Sequence, residues 1–237
     1  MQERIKLEVG AMDVVGFMRS NKEYFEDFVT RSTYHSNAIE GSTLSYAETY
    51  AILWNDNSLT VTATARELYE AINHKYALGL AIEGVEDPLS ERLIKDIAIA
   101  INKNISEIGG YRTVSVMIRG AEYLPPKPNQ INQLMMQLVH EYSHEDDLDA
   151  FAREARFHVR FERIHPFEDG NGRTGRILVN RGLMREDLAP VVIPFGRRAE
   201  YLAMLAEGDT DALAQMFREL SQLEEERMSA LRDMAQG

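Results

Sequence analysis

Apolar residues recur at three- and four-residue steps along most of the chain, the spacing that lines one face of an α-helix. The first such run is VVGFMRSNKEYFEDFVTRS, from Val14 to Ser32, and it predicts helix throughout. SYAETYAILW follows, opened by a capping box in which Ser45 and Glu48 satisfy each other's backbone amides. TATARELYEAINHKYALGLAIE and SERLIKDIAIAINKNI continue the pattern, the second with Ser90 as its N-cap. Further on, the spacing predicts an amphipathic helix from about Asn129 to His144, an acidic loop EDDLD, a helix ending near Ile164, another opening near Asn171, and C-terminal helices. In DAFAREARFHVRFERI the apolar positions fall on two faces, Phe151, Ala155 and Val159 on one and Phe157, Phe161 and Ile164 on the other. A helix apolar on both sides belongs in the centre of a fold.

One stretch departs from helical spacing. TVSVMIRGAEYLPPKP alternates β-branched residues, turns at Gly120 and ends in prolines, which predicts a small hairpin between Val114 and Leu124. The expected fold class is therefore mainly α, with one β-hairpin. At 237 residues, 44% of them hydrophobic and 27% charged, the chain fits one large domain with helical extensions better than two independent domains.

A formal net charge of −12 opposes broad nucleic-acid binding, which depends on clustered Lys and Arg, so any anion site must be local. No apolar run approaches a membrane span, and the opening MQERIKLEVGAMD lacks the apolar core of a secretory signal. The absence of cysteine removes disulfides, thiolate catalysis and Cys-based zinc sites. Neither nucleic acid nor membrane is expected as a partner, and the cytoplasm is the expected location.

The chemistry concentrates in HPFEDGNGRTGR, His165 to Arg176. Pro166 disfavours helical geometry at His165, which puts the imidazole at a helix end facing a loop. Gly170, Asn171 and Gly172 let backbone approach a ligand, and the helix starting there points unpaired amides and a positive dipole end at the same spot. Arg173 and Arg176, three residues apart, share a helix face from which two guanidinium groups could hold successive phosphates. Asp169 offers a hard oxygen ligand for Mg2+ beside them. His165, with an ordinary pKa near neutrality, is the natural base for an incoming hydroxyl, and phosphoryl-group transfer is the chemistry these residues suit.

The segment resembles the motif of the Fic family, HxFx(D/E)GNGRxxR, and satisfies every fixed position. The resemblance implies a Fic-type helical bundle with the hairpin as a flap, and a Mg2+-dependent protein adenylyltransferase that moves AMP from ATP to a Tyr, Ser or Thr hydroxyl of a target protein. It implies His165 as catalytic base, Asp169 as metal ligand, Gly170, Asn171 and Gly172 as anion hole, and Arg173 and Arg176 on the outer phosphates. The intact Gly170 and Gly172 favour nucleotidyl transfer over the phosphate or phosphocholine transfer of some relatives.

Upstream, HSNAIEGSTLS carries Ser36, Glu40 and Gly41 at the spacing (S/T)xxxE(G/N), which resembles the family's inhibitory motif. That resemblance implies that Glu40 pairs with Arg176 and occupies the place of the ATP γ-phosphate; in some relatives the same glutamate also supports removal of AMP. The flap, with Val116, Met117, Ile118, Arg119 and Gly120, would dock an extended target segment by strand pairing. Tyr201 lies where relatives place a tyrosine by the nucleotide base, although AEGDTDAL departs from their usual Asn-containing pattern. The expected organisation is an N-terminal helical extension over 1–30, a Fic domain over 31–220 with the motifs at 36–41 and 165–176, and a helical tail over 221–237. A homodimer that buries Glu40 is compatible with it.

Two other readings compete. HEYSH matches HExxH, in which His140 and His144 would bind zinc while Glu141 activates water, although no third ligand announces itself downstream. A catalytically silent Fic-fold binding module is the other, opposed by the intact His165 and Asp169. Trp54, Met135 and Met136 are assigned no role beyond packing.

Overall fold

The predicted caps start the helices they were expected to start. In the computed structural model, which describes residues 13–56, 59–118, 123–144 and 148–236, α3 (Tyr46–Trp54) opens with the Ser45/Glu48 capping box. A second such box, Thr64 with Glu67, opens α4 (Ala65–Glu83), and Ser90 caps α5 (Glu91–Asn102). The long first run divides in two, α1 (Val14–Ser20) and α2 (Lys22–Glu40). The break is Asn21, whose side chain accepts from the Tyr24 amide at 2.9 Å and so caps a new helix inside an unbroken apolar pattern.

The second half holds α6 (Pro128–Tyr142), α7 (Ala150–Ile164), α8 (Asn171–Arg185), a 3-10 turn over Phe195–Arg197, α9 (Arg198–Glu207) and α10 (Thr210–Gln236). No strand forms among the described residues. The expected hairpin is thus a correction: residues 113–118 and 123–127 are irregular, and Arg119 and Gly120 lie outside the described residues. Pro125 and Pro126 have no N–H to give a ladder, and the carbonyls of Val114 and Pro126 are both taken by the Arg112 guanidinium, at 2.9 and 2.7 Å.

The two-faced helix is central. On α7, Phe157, Phe161 and Ile164 enter one apolar cluster with α4, α5 and α6, while Ala155 and Val159 enter a second with Val179, Leu183, Tyr201 and Phe217. Helix α8 packs along α7 and also meets α2, α4 and α5. One polar lock ties α2 to α10: Arg31 forks onto Glu224 at 2.8 and 2.7 Å, and the Tyr24 hydroxyl donates to the same carboxylate at 2.9 Å. Both α2 and α10 run unbroken through residues 30–31 and 220–221.

Candidate functional site

The site forms where the C-terminus of α7, the N-terminus of α8 and the C-terminus of α2 meet. His165 is the C-cap of α7 with φ 49° and ψ 62°, the left-handed geometry that ends the helix just before Pro166. Arg112, 3% exposed, pins this end: its guanidinium donates to the carbonyls of His165 at 2.7 Å and Ile164 at 3.4 Å, and its own amide donates to Pro166 O at 2.8 Å. The His165 Nδ1 faces the Glu162 carbonyl at 3.3 Å, which makes it the N–H donor and leaves Nε2 as the acceptor nitrogen. Burial lowers the His165 pKa from its ordinary value against the opposing pull of the Glu162 carbonyl, so the ring is neutral at pH 7.

The loop from Phe167 to Asn171 is built to present backbone. The Asn171 side chain accepts from the Phe167 amide and donates to the Phe167 carbonyl, both at 2.9 Å, so it staples the loop. Gly170 caps α8 at φ 79°, and a Cβ there would lie 2.8 Å from both Ile101 and Asn102, which leaves glycine as the residue that fits. The first intrahelical bond of α8 is Thr174 N to Gly170 O, so the amides of Asn171, Gly172 and Arg173 stand free of the helix ladder at its positive end.

Glu40 sits on that end. It is the last residue of α2, and its carboxylate lies so close over Gly172 that a Cβ at this position would collide with it. Its Oε1 accepts from Arg176 at 2.7 Å; the Arg176 side chain is 9% exposed and that of Glu40 38%. The contact is single rather than a two-bond fork, because Arg176 spends its other donors on Ser36 Oγ and Ser36 O, both at 3.0 Å, and on the Tyr201 hydroxyl at 3.4 Å. Tyr201 is fully buried as the floor under Arg176, its hydroxyl 2.6 Å from His158 Nε2.

Asp169 accepts from the Gly170 amide at 2.6 Å and from Arg173 at 3.2 Å through Oδ1, and from Arg66 at 2.6 Å through Oδ2. Burial pushes its carboxyl up, but Arg173 and then Arg66 outweigh this and hold it below the ordinary value, ionised. His165, Asp169, Gly170, Gly172, Arg176 and Glu40 all line one hollow of about 300 Å3, reached also by Met117 and Ile118. Arg173 opens instead onto an adjoining hollow of about 470 Å3, with Arg66, Thr43 and Glu70, and Glu40 and Asp169 form the wall common to both. The ionised Asp169 carboxylate beside free helix-end amides fits a Mg2+, which takes one or two carboxylates and fills the rest of its shell with water or phosphate. Arg112, Arg66 and Glu70 carried no signal in the sequence, because each acts on a residue more than fifty positions away.

The zinc-peptidase alternative does not assemble. The His140 and His144 rings stack at 4.3 Å on an exposed face, His144 Nδ1 donates to the His140 carbonyl at 2.7 Å, and Glu141 is bound by Arg160 and Gln137. No three His, Asp or Glu side chains converge as a metal site among the described residues.

Residues 88–183 match the model of the Fic/DOC family, a span that includes the whole loop from His165 to Arg176. The chain belongs to the Fic/DOC family. It is 35% identical over 150 residues to a probable protein adenylyltransferase of Aquifex aeolicus, covering 63% of this chain and 44% of that protein. It is 34% identical over 181 residues to the protein adenylyltransferase fic-1 of Caenorhabditis elegans, covering 73% of this chain and 35% of that one. The chain thus spans less than half the length of these relatives. Among solved structures, a Fic domain containing signaling protein from Bacteroides thetaiotaomicron superposes with a TM-score of 0.71 at 27% identity, over 82% of this chain and 80% of that one. No helix among the described residues is long and apolar enough to cross a membrane.

Proposed function

We propose that this Fic/DOC protein transfers AMP from ATP to a hydroxyl of a target protein and that Glu40 restrains the transfer. The observation that carries the proposal is the placing of the Glu40 carboxylate on Arg176 and over Gly172, in the hollow shared with His165 and Asp169. A carboxylate at the N-terminus of α8 stands where an anionic phosphate would be held. Adenylyltransferase relatives from Aquifex and C. elegans support the choice of AMP as the group moved.

In this reading the acceptor hydroxyl oxygen attacks the α-phosphorus while the neutral His165 takes its proton at Nε2. The bond from the α-phosphorus to the bridging oxygen breaks and pyrophosphate leaves. The free amides of α8 and Arg176 neutralise phosphate charge, and Asp169 would hold Mg2+, which would supply further charge neutralisation. Arg173 reaches the outer phosphates from the adjoining hollow once Glu40 has moved from between them. Met117 and Ile118, which line the same hollow, would meet the target segment.

The test is incubation of Glu40→Gly with Mg2+, candidate target proteins and ATP labelled at the α or the γ phosphate, with His165→Ala in the same background as control. Label entering protein from the α position alone, and lost in His165→Ala, is the expected result. Entry of γ label would replace nucleotidyl transfer with phosphorylation.

A further inference from the structure

Asp169 belongs to a closed ring of four charged side chains. Arg66 donates to Asp169 Oδ2 at 2.6 Å and to Glu70 Oε1 at 2.9 Å, while Arg173 lies 3.2 Å from both Glu70 Oε1 and Asp169 Oδ1. Two guanidinium groups and two carboxylates cancel in charge. The members are not equally fixed: the side chains of Arg173 and Glu70 are 2% and 9% exposed, that of Asp169 is 32% and that of Arg66 55%.

The two oxygens of Asp169 are therefore differently committed. Oδ1 already accepts from a buried arginine and a backbone amide within the fold. Among the described residues Oδ2 accepts from Arg66 alone, so it is the oxygen left for a cation, and Arg66 stands on it. Arg66 is in the first turn of α4 and retains Glu70 one turn along the same helix, so it can leave Asp169 without losing its other partner.

We propose that Arg66 competes with the divalent cation for Asp169 Oδ2 and so sets the cation affinity of the site, a positioning residue acting through Asp169. This rests on the reading of Asp169 as the metal ligand. A guanidinium and a divalent ion cannot share one carboxylate oxygen at bonding distance without strong repulsion. An ion pair this exposed is weak enough for the ion to displace it, yet it subtracts from what binding yields.

Mn2+ binding to the full chain, followed by electron paramagnetic resonance without nucleotide, tests the inference independently of activity. Arg66→Gln is expected to bind Mn2+ about three- to tenfold more tightly than the parent, the size set by one lost like charge and one lost surface pair. Arg66→Lys, which keeps the charge, should stay within about twofold of the parent, and Asp169→Asn should lose the site. A purely structural role for Arg66 would weaken binding instead. Affinity for Arg66→Gln less than twofold above the parent, with Asp169→Asn still losing the site, overturns the role of Arg66 and leaves Asp169 as ligand. Equal tightening by Gln and Lys overturns competition by charge. Binding that ignores Asp169→Asn overturns both the inference and the metal reading beneath it.

Discussion

Replacing Glu40 isolates the restraint, and the structure sets the size of the effect. A phosphate entering the amide end of α8 would meet the Glu40 carboxylate, which lies over Gly172 and 2.7 Å from Arg176. Two unit charges about 4 Å apart at an effective dielectric of about 20 repel by about 4 kcal/mol. The side chain is 38% exposed, so solvent screens part of this, and about 2 to 4 kcal/mol is the range to expect. At about 1.4 kcal/mol per factor of ten, Glu40→Gly should raise the transfer rate about 30- to 700-fold. The cost in stability is smaller, because Arg176 keeps Ser36 Oγ, Ser36 O and Tyr201 as partners. About 1 kcal/mol for the lost charged bond and up to about 1 for glycine at a helix end lower Tm by roughly 2 to 8 °C. Glu40→Gln, which removes the charge and keeps the bulk, should give a smaller rise in rate and a smaller loss of Tm. The assay is incorporation of α-labelled AMP into protein, read beside thermal melts. Two folded variants whose rates stay within about twofold of the parent would refute the argument, since both remove the charge on which it depends.

Arg112→Ala should cost about 3 to 5 kcal/mol in a urea titration and abolish transfer, because it strips donors from the carbonyls of Val114, Pro126, Ile164 and His165; Arg112→Lys should recover little, as one ammonium cannot span carbonyls on three segments. Since burial lowers the His165 pKa, the acid limb of transfer by Glu40→Gly should have its midpoint below the ordinary value of about 6.5; a midpoint above that contradicts the assignment of the base. Burial, with Glu40 beside it, pushes Glu162 from its ordinary 4.5 up to about 8, so between these values the native state holds a proton that the unfolded chain has released, and stability falls as pH rises through this window. His74 and His158, lowered by burial to about 3, act in the opposite sense between about 3 and 6.5, so the Glu162 effect should show cleanly as a falling urea midpoint from pH 6.5 to 8, flattened in Glu162→Gln apart from the share of Glu154, raised to about 7.

What the sequence made legible is what is local in it. The Ser45 and Ser90 caps bond amides three residues on, and the loop from His165 to Arg176 is closed by its own members: Asn171 on Phe167, Gly170 at φ 79°, His165 ending α7. The break at Asn21 was hidden because an N-cap inside a continuous apolar period looks like one more polar surface position. The hairpin misled for a related reason: alternation describes a strand's two faces and says nothing of whether a partner strand supplies the ladder, and here Arg112 takes the carbonyl of Val114, at the start of the expected hairpin, and that of Pro126, just past its end. Arg173 and Arg176 were expected side by side on spacing alone. Their partners separate them, Glu70 and Asp169 holding one while Ser36 and Glu40 hold the other, so the two guanidinium groups open onto adjoining hollows with the Glu40 carboxylate in the wall between.

The same distinction explains why Ser36 to Gly41 is a weak signal in the sequence and a specific one in the fold. Six residues with a serine, a glutamate and a glycine describe many helix ends, and Glu40 does stand at one, with Gly41 at φ 107° closing α2. A carboxylate at the negative end of a helix is unfavourable by itself. Three contacts from distant residues hold it there. Arg198 binds the Ile39 carbonyl at 2.7 Å, Arg176 takes both Ser36 and Glu40, and the Arg31 and Tyr24 lock on Glu224 fixes α2 against α10. Because α2 faces the positive end of α8, the cost at its own terminus is offset only while α2 is seated. The position of α2, anchored almost two hundred residues away in sequence at Glu224, is therefore the quantity on which our proposed restraint depends, and anything that tilts α2 away from α10 would act on the site without touching it.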